Sequence, residues 1–145
     1  MRRFRFNLEK LLALRALHER KAELVLAEKA GRCVLLGNRL REVAESKYRA
    51  SREMFAKGRS IEDYRISNLY LVRLDIERDR LVEELARAEL EREAARKVYV
   101  EKRCAREAID KLKERRQAEY YRLATREEIK ALDDLARPRP APVGG

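Results

Sequence analysis

The stretch Lys57-Gly58-Arg59-Ser60-Ile61-Glu62-Asp63 carries a helix stop and a helix start almost side by side. Gly58 can take the left-handed backbone conformation that ends a helix without a Cβ clash. Ser60 is a strong N-cap, because its hydroxyl accepts from the free amides of the first turn. Asp63 stands three residues on, where a carboxylate can reach back to the cap amide. A helix that stops and restarts within so few residues folds back on itself. The reading is therefore all-α: a long antiparallel two-helix coiled-coil hairpin, with helix 1 over about 4–57, a turn at 58–60 and helix 2 over about 61–136.

Composition supports long helices rather than a multilayer domain. Of 145 residues, 43% are charged and 6% aromatic, with no Trp, five Gly and three Pro. An ordinary globular domain carries about 25% charge. So polar a chain suits helices that bury one narrow seam each and leave the rest wet. Gly, Pro and Ser are too sparse before residue 137 for a disordered chain. The final stretch Arg137-Pro-Arg-Pro-Ala-Pro-Val-Gly-Gly145 lacks the amides a helix needs and reads as a disordered tail over 137–145.

In helix 1 the leucine-rich line Leu8, Leu11, Leu14, Leu17 and Leu24, continued by Ala27, Val34, Leu40, Val43, Ala50 and Met54, is taken as the seam. Gly31 and Gly37 interrupt the helix, and each costs about 1 kcal/mol relative to Ala; they mark a bend or a close approach of the second helix. In helix 2, steps of three and four give Tyr64, Ser67, Leu71, Leu74, Arg78, Leu81, Leu85, Ala88, Arg92, Ala95 and Tyr99. Beyond Tyr99 the pattern shifts to Ala105, Ile109 and Leu112, as a stutter would. Thr125-Arg-Glu-Glu128 resembles another capping box and leaves open a short third helix at the C-terminus. With the turn near residue 59, facing residues sum to about 118, so Tyr48 is level with Tyr70. Cys33 then lies too far along the axis from Cys104 for a disulfide.

Enzymatic chemistry finds no foothold. His18 is the single histidine, the two cysteines lack zinc spacing, and the isolated glycines build no phosphate loop. No catalytic group, metal ligand or cofactor site is assigned. No apolar run approaches the roughly 20 residues of a membrane span, so the chain reads as soluble and cytoplasmic. Up to Ser60 there are 16 Lys and Arg against 7 Asp and Glu; from Ile61 to Ala136 there are 18 against 19. The first helix is thus a basic surface suited to an acidic partner. A nucleic-acid zipper would need a dense basic block entering leucine heptads, and Arg2, Arg3 and Arg5 do not make one.

The opening Phe4-Arg-Phe6-Asn-Leu8-Glu9-Lys10-Leu11-Leu12-Ala-Leu14-Arg15, with the length and the single turn, resembles the flagellar export protein FliJ family. The resemblance implies a non-enzymatic coiled coil similar to the central stalk of rotary ATPases. It implies three kinds of partner: the hexameric flagellar export ATPase, the cytoplasmic domain of the export-gate membrane protein, and export chaperones that it escorts. Its place would be the cytoplasmic face of the membrane at the flagellar base, with membrane contact only through partners. By the stalk analogy the end bearing both termini enters the ATPase ring and raises its activity. That end offers Arg2, Arg3, Phe4, Phe6, Leu8, Leu12, Arg115 and Arg116 as ATPase contacts. The family's gate contact is aromatic and aliphatic, and the local candidates are Tyr48, Tyr70 and Leu74. The equivalent stalk protein of a virulence type III secretion system, and a generic coiled-coil scaffold, remain as alternative readings.

Overall fold

The computed structural model describes residues 2–142 and 144; Met1, and Val143 and Gly145 of the expected tail, lie outside the described residues. Two helices, α1 (Glu9–Met54) and α2 (Ile61–Ala136), pack antiparallel, and no strand occurs among the described residues. The chain divides into two compact units. A terminal unit combines Met1–His18 with Arg103–Gly145, and a turn unit comprises Glu19–Lys102.

The turn forms as its side chains dictate. Gly58 has φ +87°, the left-handed region. The Ser60 amide donates to Asp63 Oδ2 at 3.0 Å, and the Asp63 amide donates to Ser60 Oγ at 3.3 Å. This reciprocal pair is a capping box. The bonds from Ser60 hold the Asp63 carboxyl below the usual carboxylate range. α1 stops at Met54 rather than near 57, because Ala56 already bonds back to Glu53 in a tighter turn. Gly58→Ala would force a Cβ into the left-handed region, although it meets no atom within 4 Å. It is expected to lower unfolding free energy by about 1–2 kcal/mol, which chemical denaturation monitored by circular dichroism measures directly.

The core of the turn unit is Cys33, Leu36, Val43, Leu74, Leu81 and Ala88, with Leu40 and Leu85 packed against it. α2 contributes largely the seam its spacing predicts: Ser67, Leu71, Leu85, Ala95 and Tyr99 are half-buried around the three core positions. Tyr64, Arg78 and Arg92 are exposed; Arg78 turns outward to ion-pair with Asp75 and Asp79.

α1 uses a different face from the leucine-rich one over its middle. Its buried or half-buried line is Ala22, Leu26, Lys29, Cys33, Leu36, Leu40, Val43, Lys47, Ala50 and Met54. Leu24 and Val34 are 56% and 62% exposed, and Leu14, Leu17 and Ala27 are exposed as well. Lys29 and Lys47 hold seam positions because their stems lie along the partner helix while their ammonium groups reach Glu91 at 3.2 Å and Asp75 at 2.6 Å. The Lys47 hydrogen bond keeps the Asp75 carboxyl below its usual range. Arg39 reaches Glu77 at 2.9 Å, so the pairing lies close to the expected register. Gly31 and Gly37 are not sites of close approach by α2, for nothing stands within 4 Å of an added Cβ at either.

Beyond Tyr99 the expected positions Ala105, Ile109 and Leu112 are half-buried, buried and half-buried, and Lys102, Arg106 and Lys113 are half-buried as well. One further expectation is corrected by α2: there is no third helix among the described residues. The Thr125 hydroxyl donates to the Tyr121 carbonyl at 2.9 Å, bonding back along α2 instead of capping a new one. Beyond Ala136 no helical residue occurs among those described.

Candidate functional site

The terminal unit holds most of the residues singled out for partner binding. Residues 2–6 are not helical, contrary to a first helix beginning near residue 4. The Arg2 carbonyl and the Phe4 and Phe6 rings are instead committed to α2. The Tyr120 hydroxyl donates to the Arg2 carbonyl at 2.7 Å. The Phe4 ring lies 5.5 Å from that of Tyr120, which meets Tyr121 edge-on at 5.5 Å. The Arg116 guanidinium stands 5.9 Å from the Phe6 ring centroid and donates to Asn7 Oδ1 at 2.7 Å. Three kinds of contact thus strap an extended segment across the helix: a hydrogen bond, ring packing and a cation over a ring.

Behind the strap the helices pack in the ordinary way. Leu8, Leu11 and Leu12 are half-buried opposite the stretch of α2 that includes buried Ile109 and half-buried Leu112. Lys113 pairs with Glu9 at 3.0 Å, and Arg15 Nη1 donates to the Ala105 carbonyl at 2.8 Å. Leu8 and Leu12 therefore act chiefly as packing, while Arg2, Arg3 and Arg115 have exposed side chains.

An open groove of about 600 Å³ lies on this unit, lined by Arg3, Phe4, Arg5, Phe6, Glu9, Lys113, Gln117 and Tyr121. Its chemistry is aromatic and basic, with Glu9 engaged by Lys113. Past it every residue of α2 from Thr125 to Ala136 is exposed, including Ile129, Leu132 and Leu135. Tyr120, Tyr121 and Asn7 escaped the sequence reading. The adjacent tyrosines were the available signal, since the expected register puts that part of helix 2 opposite the chain start.

The residues considered for gate binding separate in the turn unit. Leu74 is 6% exposed and belongs to the core, so it offers no docking surface in the folded chain. Tyr48 is 64% exposed, with the Arg52 guanidinium 5.8 Å from its ring centroid. Tyr70 lines grooves with Ser46 and Arg73, whereas Tyr48 lines one with Arg41 and Ala44. The two tyrosines do not form a ring pair. Cys33 is buried and Cys104 exposed, both as free thiols. Among the described residues no group of three or more His, Cys, Asp or Glu is placed to hold a metal, and no helix is long and apolar enough to cross a membrane.

No curated protein and no solved structure matches the chain. A family does: the paired long helices and the basic, aromatic chain start are those of a sequence whose residues 4–141 match the family described as Flagellar FliJ protein, and the chain belongs to that family.

Proposed function

We propose that this flagellar export component acts as the stalk-type partner of the hexameric export ATPase, docking through its terminal unit. The observation that carries this reading is the Phe4, Phe6, Tyr120 and Tyr121 cluster, with Arg3 and Arg5 lining the groove beside it and Arg115 exposed on the same unit. Aromatic and Arg side chains dominate the energetics of protein interfaces, and a basic rim selects and steers an acidic partner. The exposed Ile129, Leu132 and Leu135 extend the same surface along the last turns of α2. The protein contributes no chemistry. It raises hydrolysis by binding the assembled, productive ring more tightly than other states. The cytoplasmic domain of the export gate takes the Tyr48 and Tyr70 side of the turn unit, and export chaperones are escorted along the same chain at the cytoplasmic face of the flagellar base.

The test is hydrolysis by the cognate export ATPase, titrated with the wild-type chain and with an Arg3→Glu, Arg5→Glu, Arg115→Glu variant. None of these three side chains takes part in the strap, so helicity should be unchanged. Wild type is expected to stimulate, saturating near one copy per ring, and the variant to lose stimulation and binding together. Full stimulation by the variant would move the docking surface elsewhere. Absence of any association by wild type would reject the stalk reading.

A further inference from the structure

α1 is apolar on two opposite sides. In the turn unit its seam side meets α2 through Ala22, Leu26, Cys33 and Leu36. A second line with the same three-four spacing runs through Leu24, Ala27, Gly31 and Val34, with Leu35 beside it. At 3.6 residues per turn, Gly31 points roughly 160° away from Cys33. Leu24, Val34 and Leu35 are all more than half exposed, and Ala27 and Gly31 are exposed between them. A helix with a second apolar stripe that its own chain leaves bare is shaped for another surface.

Gly31 sharpens the point. Glycine weakens a helix interior relative to alanine, and beyond its chain neighbours and the local backbone of its own helix no described atom lies within 4 Å of where its Cβ would stand. Nothing within the chain therefore requires a glycine there. Beside the stripe stand Glu28 and Arg32, both exposed and without an ion-pair partner among the described residues.

These features complement themselves. Laying a second copy antiparallel, with the two-fold axis passing between the two α1 helices level with Lys29 and Ala30, sets Ala27 against Gly31 and Leu24 against Val34 and Leu35. The same register sets Glu28 against Arg32, twice by symmetry. Small residues then fall at the crossing, where the backbones come closest, and large ones on either side. A two-fold interface has this reciprocal character, each residue meeting the one that meets it. We propose that the outer stripe of α1 is a homodimer interface whose occupant is a second copy of this chain. Three large exposed apolar side chains per copy fall short of the roughly 800 Å² per partner of a standard interface. The association is accordingly weak and concentration-dependent.

Sedimentation equilibrium of the full chain, under reducing conditions that silence exposed Cys104, tests this. Wild type is expected to show a monomer–dimer equilibrium with a dissociation constant on the order of 10 µM. Leu24→Glu should weaken it by about a hundredfold while circular dichroism stays unchanged, since Leu24 lies outside the core. Gly31→Ala should act in opposite directions, raising the melting temperature of the monomer and weakening the dimer roughly tenfold. Glu28→Arg and Arg32→Glu should each weaken the dimer, and the double exchange should restore it. A wild-type chain that stays monomeric at all concentrations overturns the proposal and leaves the stripe to a helix of another protein. A dimer indifferent to Leu24→Glu overturns it equally, because the copies would then meet elsewhere.

Discussion

Leu74→Asp is expected to melt the helix pairing of the turn unit, seen as loss of the far-ultraviolet helical signal at temperatures where wild type is folded. Leu74 is one of six buried residues that form the core cluster, packed with Leu36, Val43 and Leu81. Of the arginines that line the groove beside Leu74, Arg39 is already engaged by Glu42 and Glu77, and Arg73 is exposed and lies outside the cluster. A charge placed there without a partner costs about 3–5 kcal/mol, a large share of the roughly 5–15 kcal/mol that holds a typical domain together. Leu74→Ala offers the milder version, at about 2–4 kcal/mol from lost burial and the cavity left behind. Tyr48→Ala is the control: its ring is mostly in water beside the Arg52 guanidinium, so stability should hardly change. An unchanged melt for Leu74→Asp would refute the seam as described. The result also governs how binding data at this position are read. A Leu74 variant that loses a partner has lost the folded surface, whereas a Tyr48 variant that does so has lost a contact.

The same contrast shows what the sequence discloses and what it conceals. The turn was legible because its chemistry is local: Gly58, Ser60 and Asp63 each act within three residues, and a capping box is formed by the very atoms that announce it. The α2 seam was legible because Leu71, Leu74, Leu81 and Leu85 are large and the opposite face is less continuous. α1 misled because apolar residues mark both of its sides. The bare side carries Leu24 and Val34, while much of the buried side is built from Ala22, Lys29, Cys33 and Lys47. Small residues and the stems of lysines fill a seam as effectively as leucines when the facing helix supplies the bulk and the acids, here Glu91 and Asp75. That information resides in the other helix, so counting leucines along α1 could not supply it. Both Gly31 and the exposed stripe become meaningful only once the true seam is known.

At the chain start the limit was of another kind. Phe4 to Leu8 continue an amphipathic pattern and read as the first turns of a helix, yet α1 begins at Glu9. What holds residues 2–7 out of the helix is the set of contacts to Tyr120 and Arg116, more than a hundred positions away in the chain. No local rule carries such a contact. The consequence for function is that two groups of residues at this end act differently. Arg3, Arg5 and Arg115 are free to meet a partner, whereas Phe4 and Phe6 also fasten the segment that presents two of those arginines.

The Phe4→Ala, Phe6→Ala variant should therefore lose more than its rings. A packed aromatic pair contributes about 0.5–1.5 kcal/mol, and a cation over an exposed ring about 0.5–1 kcal/mol. Removing both leaves the hydrogen bonds from Tyr120 and Arg116 to hold the strap, and hydrogen bonds in water are worth only about 0.5–1.5 kcal/mol each. The strap should open, which amide hydrogen exchange would read as faster exchange over residues 2–8. The melting of the turn unit should stay put, because its core contains neither phenylalanine. Affinity for the export ATPase should fall at least as far as in the arginine-reversal variant, since rings and presented charges are lost together. Opening the strap without touching the rings separates the two causes: Tyr120→Phe with Asn7→Ala removes both hydrogen bonds and keeps every ring and arginine. If that variant exchanges fast over residues 2–8 and loses affinity as well, the phenylalanines serve as fasteners and the arginines meet the ring. If affinity is kept while the strap is open, the rings themselves are buried against the ATPase.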